Sequence, residues 1–267
     1  MDGEAGTLEN MQNTLILGTI ILVLISMIAS YILSKRAMQP MMLAYEKQTE
    51  FVQNASHELR TPLIIIQAKQ ELLLTEPNKK IIEKSEEINL TLKETRRLSK
   101  LIKELMELAR ADNKKQEIDK QTTDINKLIQ EISKPYIELA TMQNKTLKLE
   151  LEYNKSIKVN QNKINELFVI LLDNALKYTN SEDTITIKTY LKDGKCNIEV
   201  QDTGIGISKE GMKHIFERFY REDKARSRQT GGNGLGLSIA QNIVTLHKGT
   251  IKAEHNIPKG TIIKIRI

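Results

Sequence analysis

A histidine followed at once by a glutamate, and four residues later by a threonine, stands in ASHELRTPL, residues 55–63. An imidazole with its ordinary pKa near 6.5 keeps a neutral nitrogen lone pair at neutral pH, so His57 has the chemistry of a nucleophile. Glu58 lies about 100° around a helix from it; its carboxylate can accept a hydrogen bond from the second ring nitrogen and stabilise the charge that develops during attack. Thr61, one turn further on, puts a hydroxyl on the face of His57. A surface histidine in a charged helix has the same local sequence. The choice between the two rests on whether the remaining chain supplies an electrophile.

Three segments offer the parts of one. In DTGIG, residues 202–206, Gly204 and Gly206 permit tight turns and close approach of a ligand, and Asp202 at a strand end can accept a hydrogen bond from an adenine amino group. In GGNGLGLSIA, residues 231–240, Gly232, Gly234 and Gly236 precede the apolar run Leu237 to Leu246, so backbone N–H groups and a helix N-terminus can surround a polyphosphate. In LLDNALKYT, residues 171–179, Asn174 stands at helical spacing from Lys177 and Tyr178. That spacing turns an amide oxygen for Mg²⁺, an ammonium for phosphate and an aromatic edge for base or ribose toward one cavity. Between the glycine clusters, IFERFYREDKARSRQ (215–229) carries Arg218, Arg221, Arg226 and Arg228 and reads as a mobile cationic lid over a polyanion. GNGLGL is followed by no βαβ continuation with an acidic ribose reader, and no Lys-Ser or Lys-Thr follows its glycines, so neither a Rossmann unit nor a Walker A loop is present.

Those residues need elements to hold them. Around His57 the chain reads as two long helices, Arg36 to Leu74 and Lys79 to Ala111, turning at Pro77 and Asn78, the first interrupted or kinked at Pro62. Along the second, Ile81, Ile88, Thr95, Ile102 and Ala109 recur every seven residues, and Leu92, Leu98 and Leu105 widen the line into an apolar face. One hairpin cannot bury such faces; two would, as a four-helix bundle, which predicts a homodimer. From Thr122 onward the pattern changes. TITIKTYL and KCNIEVQDTG read as strands around Asp193 and Gly194, and IKAEHN and TIIKIRI close the chain, predicting an α/β sandwich with one mixed or antiparallel sheet covered by helices.

The 267 residues carry a net charge of +6, with 34 acidic residues interspersed among 40 basic ones and no tryptophan, a poor composition for a nucleic-acid surface. Cys196 is the only cysteine, which excludes an intrachain disulfide and any multi-cysteine metal site. Thr14 to Leu33 is 20 residues without charge or proline, matching a bilayer core of roughly 30 Å. Asp2, Glu4 and Glu9 precede it and Lys35 and Arg36 follow it, which places the N-terminus outside and the remainder in the cytoplasm of a single-pass cell-membrane protein. With 13 residues outside, no room for an extracellular ligand-binding domain is expected, and Gly18, Ser26 and Ala29 offer small side chains on which another membrane helix can pack as the signal input.

Taken together, SHELRTPL, LLDNALKYT, FERFYR, DTGIG and GGNGLGL resemble the phospho-acceptor, asparagine, phenylalanine and two glycine boxes of membrane-bound sensor histidine kinases of bacterial two-component systems, a likeness covering Phe51 to Ile267. It implies an N-terminal tail (1–13), a transmembrane helix (14–34), a linker (35–50), an all-α dimerisation and histidine phosphotransfer domain (51–115) and an ATP-binding domain of GHKL (Bergerat) type (122–267). It further implies His57 as phospho-acceptor, Glu58 as base, Thr61 as the residue orienting water for regulator dephosphorylation, Asn174 as Mg²⁺ ligand and Asp202 as adenine reader. Lys177, Tyr178, Gly204, Gly206, Gly232, Gly234, Gly236 and Leu237 complete the ATP site, with Arg221 neutralising charge during transfer. A cytoplasmic response regulator is the implied partner. Three positions depart from the pattern: Ile170 replaces a second asparagine four residues before Asn174, Gly211 stands where a helix former is usual, and Lys248 replaces a glycine after His247. Ile170 leaves open a weakly catalytic or phosphatase-biased scaffold acting through Thr61. The 35–50 linker is too short for a HAMP module.

Overall fold

The computed structural model describes residues 2–111, 118–222 and 232–267. The chain divides into two compact units, residues 1–54 and 55–267. The first unit is helix alone, the N-terminal part of α1 (Asp2–Thr75). Among the described residues α1 is the one helix long and apolar enough to cross a membrane, with an 18-residue window of mean hydropathy 2.6 and none of that window buried.

The second unit begins with the rest of α1, which runs without interruption through Pro62, contrary to the break expected there. A proline ring removes one i→i−4 hydrogen bond, here to the carbonyl of Glu58, at a cost of about 3 kcal/mol. Burial of Pro62 offsets part of that cost, and the Thr61 hydroxyl leans back to the His57 carbonyl at 3.4 Å. After a turn at Glu76–Lys80 in which Glu76 pairs with Lys79 and Lys84, a single 3₁₀ turn (Ile81–Lys84) leads into α2 (Ser85–Ala111). The stripe buried on α2 is Glu94, Leu101 and Leu108, where α2 packs on a helix of the C-terminal half. The predicted heptad line lies elsewhere: Ile81 is 80% and Ile102 44% exposed.

The C-terminal half is a two-layer α/β sandwich. β1 (Gln121–Asp124) pairs antiparallel with β3 (Ser156–Val159), and a five-stranded mixed sheet runs in the order β2 (Thr146–Leu151), β4 (Thr184–Lys192), β5 (Lys195–Asp202), β7 (Thr261–Arg266), β6 (Thr250–His255). Only the β2–β4 pairing is parallel. Period-2 burial along β4 puts Ile185, Ile187 and Thr189 inward, joined by Cys196, Ile198 and Val200 of β5 and Ile263 and Ile265 of β7. Against that face lie α3 (Ile125–Met142), α4 (Gln161–Tyr178) and α6 (Gly236–Leu246), which supply Ile129, Phe168, Leu172 and Ile239 to the core; a four-residue helix, α5 (Gly211–His214), precedes α6. Asp124 and Asn160 cap α3 and α4 through their side-chain oxygens. The opposite face of the sheet carries ion and hydrogen-bonded pairs such as Lys188–Glu150 and Tyr190–Glu199, both at 2.7 Å. Burial pushes the Cys196 thiol up to about 12, as suits a packed strand residue rather than a reactive one.

His247, where α6 ends, ties that helix to the start of α4: its Nε2 accepts from the Asn160 N–H at 3.0 Å and its Nδ1 lies 2.7 Å from the Ile243 carbonyl. Both bonds require a neutral ring with the proton on Nδ1. Burial lowers its pKa, the Ile243 carbonyl opposes that, and Lys120 lowers it further. In the unfolded chain the ring takes up a proton below about pH 6.5, before the folded ring does, so this contribution is complete above that pH and is lost as pH falls below it. The thermal midpoint of the wild-type chain should therefore drop between pH 7 and 5.5 by more than that of His247→Gln, whose midpoint lacks this titration; equal slopes would contradict the assignment.

Candidate functional site

Two adjoining clefts open at the end of α4. The first, about 640 Å³, has an apolar lining of Leu171, Ala175, Val200, Ile215, Leu237 and Ile263, with Asp202 its carboxylate acceptor. Asp202 sits at the last position of β5, and its Oδ1 accepts from the Gly204 N–H at 2.9 Å and the Thr261 N–H at 3.2 Å, which orients the carboxyl. Burial raises its pKa, and those two amides oppose the rise. A flat heterocycle bearing an amino group fits such a slot: apolar faces for the ring, one oriented acceptor for the N–H.

The glycines around Asp202 are there for close approach. A Cβ on Gly204 would overlap the Tyr178 carbonyl, and one on Gly260 would overlap the Asp202 carbonyl, with Gly260 at φ +111°. Gly206, at φ +74°, turns the chain away beside Gly260. Asn256 supports the same corner, donating to the Asp202 carbonyl at 2.7 Å. Gly260, Thr261 and Asn256 were not read as site residues from the sequence; the only local signal is a lone Lys-Gly-Thr before a strand, which is common at any strand start.

The second cleft, about 660 Å³, is cationic. Asn174, Lys177 and Tyr178 of α4, Arg221, and Gly232, Gly234 and Gly236 all line it, so the predicted polyphosphate residues are brought together. A Cβ on Gly232 would strike the Lys177 ammonium, so the glycine lets that cation lie on bare backbone. Gly234 at φ +70° packs against Phe219, whose amide donates to the Gly234 carbonyl at 2.9 Å, with Phe219 itself at φ +62°. Leu235, before the first residue of α6, provides no side-chain cap, which leaves the first-turn amides of that helix for a ligand. Lys177 lies 5.1 Å over the Tyr178 ring; burial lowers its pKa, and Arg221 and Lys100 lower it further. Burial raises the pKa of Tyr178, against the pull of Arg221.

His57 and Thr61 are exposed and line neither cleft. The link is Glu58, whose carboxylate lies 3.7 Å from Arg221 and 4.0 Å from Arg97 of α2. Among the described residues Glu58 makes no hydrogen bond to the His57 ring, so the carboxylate–imidazole contact foreseen from the sequence is replaced here by two guanidinium contacts. Arg226 and Arg228 of the expected lid lie outside the described residues. Arg97, Lys100 and Glu104, which form the bundle side of the second cleft, were missed because sequence spacing shows which face of α2 they share but not what faces them.

The departures have structural answers. Gly211 opens α5 where a Cβ would come within 2.9 Å of the Glu222 and Ile207 side chains, so a larger residue would require those side chains to shift. Lys248 adopts φ +58°, the left-handed conformation after a helix end that favours glycine. Ile170 lines the phosphate-type cleft on the same helix as Asn174. No group of three or more His, Cys, Asp or Glu side chains among the described residues is placed to hold a metal alone.

Residues 47–114 match the His Kinase A (phospho-acceptor) domain, and residues 159–267 match the histidine kinase-, DNA gyrase B- and HSP90-like ATPase family. The sensor protein CiaH of Streptococcus pneumoniae is 39% identical over 91% of this chain and 54% of its own length. The chain carries both domains and is homologous to bacterial sensor histidine kinases. The signal transduction histidine-protein kinase ArlS of Staphylococcus aureus is 41% identical over 83% of this chain and 49% of its own length, so the chain spans about half the length of the curated relatives it matches. Among solved structures, the histidine kinase AdeS of Acinetobacter baumannii shares the fold at TM-score 0.65, with 22% identity over 79% of this chain and 96% of that one. The histidine kinase ThkA, solved in complex with the response regulator protein TrrA, does so at TM-score 0.67, with 22% identity over 86% of this chain and 64% of that one.

Two left-handed positions predict opposite effects. Gly260→Ala should destabilise the chain by about 1–3 kcal/mol, since it adds both φ strain and an overlap with the Asp202 carbonyl. Lys248→Gly should stabilise it by about 0.5–1 kcal/mol. Urea unfolding followed by circular dichroism measures both, and a midpoint that moves the other way at either position would refute the reading there.

Proposed function

We propose that this chain is an ATP-dependent protein-histidine autokinase that phosphorylates His57 and passes the phosphoryl group to an aspartate of a cytoplasmic response regulator, Thr61 serving the reverse dephosphorylation. One observation carries the reading: the guanidinium of Arg221 lines both clefts and also contacts the carboxylate next to His57. A single side chain thus connects the nucleotide end of the fold with the nucleophile's helix.

In this reading the adenine occupies the first cleft with its amino group on Asp202, and the phosphates occupy the second beside Lys177, Gly232, Gly234 and the amides at Gly236 and Leu237. The residues present fit Mg²⁺: Asn174 offers an amide oxygen, and the absence of a carboxylate cage among the described residues suits an ion held mostly by phosphates and water. Mg²⁺ would supply charge neutralisation at the transferring phosphoryl group. The chain's own work is alignment and electrostatics. Lys177 and Arg221 hold the polyanion, Glu58 takes the proton from the attacking ring, and the neutral imidazole of His57 provides the lone pair. The bond from the terminal phosphorus to the bridging oxygen breaks as the N–P bond forms, and ADP leaves.

The exposed apolar residues of α2 and of the turn before it support a homodimer, with Leu92 and Ile102 of α2 and Ile81 of the turn from each copy in the seam of a four-helix bundle. The charge asymmetry around residues 14–34 supports a single pass with the N-terminus outside, the 35–50 linker joining it to the bundle of 51–115 and the nucleotide domain of 122–267. Another membrane protein packing on Gly18, Ser26 and Ala29 fits as the input. The alternative, a phosphatase-biased scaffold, has in its favour the apolar Ile170 in the phosphate cleft; robust autophosphorylation at ordinary Mg-ATP concentrations would eliminate it.

Full-length protein in detergent micelles, incubated with γ-labelled ATP and Mg²⁺, should acquire label that is acid-labile and alkali-stable. His57→Gln should abolish the label while ATP still binds; persistent label in that variant would defeat the assignment. Asp202→Asn should weaken ATP binding by about 10–100-fold, as expected for losing a hydrogen bond to a charged group, with little change in the unfolding midpoint.

A further inference from the structure

The second cleft is lined by five cations, Arg97, Lys100, Lys145, Lys177 and Arg221, against the carboxylates Glu104 and Asp173. Several of these groups are already occupied. Lys145 donates to the Leu176 carbonyl at 2.6 Å, Asp173 accepts from the Tyr136 hydroxyl at 2.9 Å, and Arg97 stands 3.8–4.0 Å from Glu94 and Glu58. Lys100 differs. Its ammonium is largely exposed and its closest carboxylate, Glu104, is 4.0 Å away, too far for a hydrogen bond.

Glu104 is itself committed. It is mostly buried, burial raises its pKa, and Lys100 and a hydrogen bond from the Asn233 side chain oppose that rise. Asn233 lies between Gly232 and Gly234, so Glu104 ties the glycine turn to α2 and fixes Lys100, one helical turn away, at the mouth of the phosphate cleft. Across the cleft, burial lowers the Lys177 pKa and the charges of Arg221 and Lys100 lower it further, so three cations converge on this space. Among the described residues, Arg221 Nε and Nη2 are buried without a hydrogen-bond partner. Like charges converging on a partly buried space, with guanidinium donors left over, favour an anion between them.

We infer that the chain's own bundle completes its ATP site: Lys100 of α2 binds the terminal phosphate from the side opposite Asn174 and Lys177. This rests on the proposed autokinase function and deepens it. The terminal phosphate is the one assigned because Lys100 lies on the hairpin that carries His57, so the phosphoryl group on that side of the cleft is the one to be transferred. Nucleotides lacking it would not reach the ammonium.

The test measures ATP, ADP and AMP affinities of the full-length protein in detergent by displacement of a fluorescent adenine nucleotide, for wild type, Lys100→Gln, Lys100→Arg and Lys103→Gln. Lys103 is exposed and lines neither cleft, so it controls for net charge. Lys100→Gln should weaken ATP by about tenfold, the worth of one charge-assisted contact, with ADP and AMP unchanged. Lys100→Arg should stay within about threefold of wild type, and Lys103→Gln should match wild type. The inference is overturned if Lys100→Gln binds ATP as wild type does, if it loses ADP as much as ATP, or if Lys103→Gln loses as much. A wild-type protein that binds no adenine nucleotide would instead overturn the autokinase reading beneath it.

Discussion

Arg221 is a largely buried guanidinium whose Nε and Nη2, three of its five N–H donors, have no hydrogen-bond partner among the described residues. Among the described residues its ion-pair partner is Glu58, 3.7 Å away, and the second cleft, which it lines, also holds the cations Lys100 and Lys177. Leaving such a group partly paired costs several kcal/mol, so the fold must hold it there by other means. Those means are visible: the Phe219–Gly234 backbone contact just before it, the packing of α2 on α6, and the Glu104–Asn233 bond that joins bundle to glycine turn. Packing in the C-terminal half thus keeps a positive charge beside the helix of His57, where it would serve the transfer proposed above.

The sheet and helices serve the same end with few parts. α4 is buried through Phe168, Leu171 and Leu172, which fixes its rotation, and the opposite rotation would bury Asn174 and Lys177 instead. β5 ends at Asp202, and the amides of Gly204 and Thr261 converge on its carboxyl because β7 is the neighbour of β5 in the sheet. The first cleft therefore follows from strand order, and the second from the register of one helix.

How much of this was legible in the sequence depends on range. Asn174, Lys177 and Tyr178 could be placed together because helical spacing alone unites them, and the strands β4 to β7 because period-2 burial and the Asp193-Gly194 turn are local signals. Asp202 and its two glycines were legible for the same reason. Gly260 and Thr261 were not, since their role depends on a strand pairing 59 residues distant from Asp202. The first small sheet, β1 with β3, escaped notice because four-residue strands leave little periodicity to read. The Glu58 carboxylate was expected against His57, and only tertiary packing could bring Arg97 and Arg221 to it.

The heptad on α2 shows why a correct pattern can still be incomplete. At about 100° per residue, Arg97, Lys100 and Glu104 share one face, the buried Glu94, Leu101 and Leu108 lie just beside it, and Thr95, Ile102 and Ala109 lie roughly opposite. One helix thus carries a cleft wall, an intrachain packing stripe and an exposed apolar seam. A sequence read for apolar periodicity finds the seam first, since it repeats over more turns, and leaves the buried pair Leu101 and Leu108 unassigned. The division also has a physical consequence: a second copy seated on the Ile102 face would leave the cationic face of α2 open. Association of the bundle and access to the phosphate cleft can then proceed without competing for the same surface.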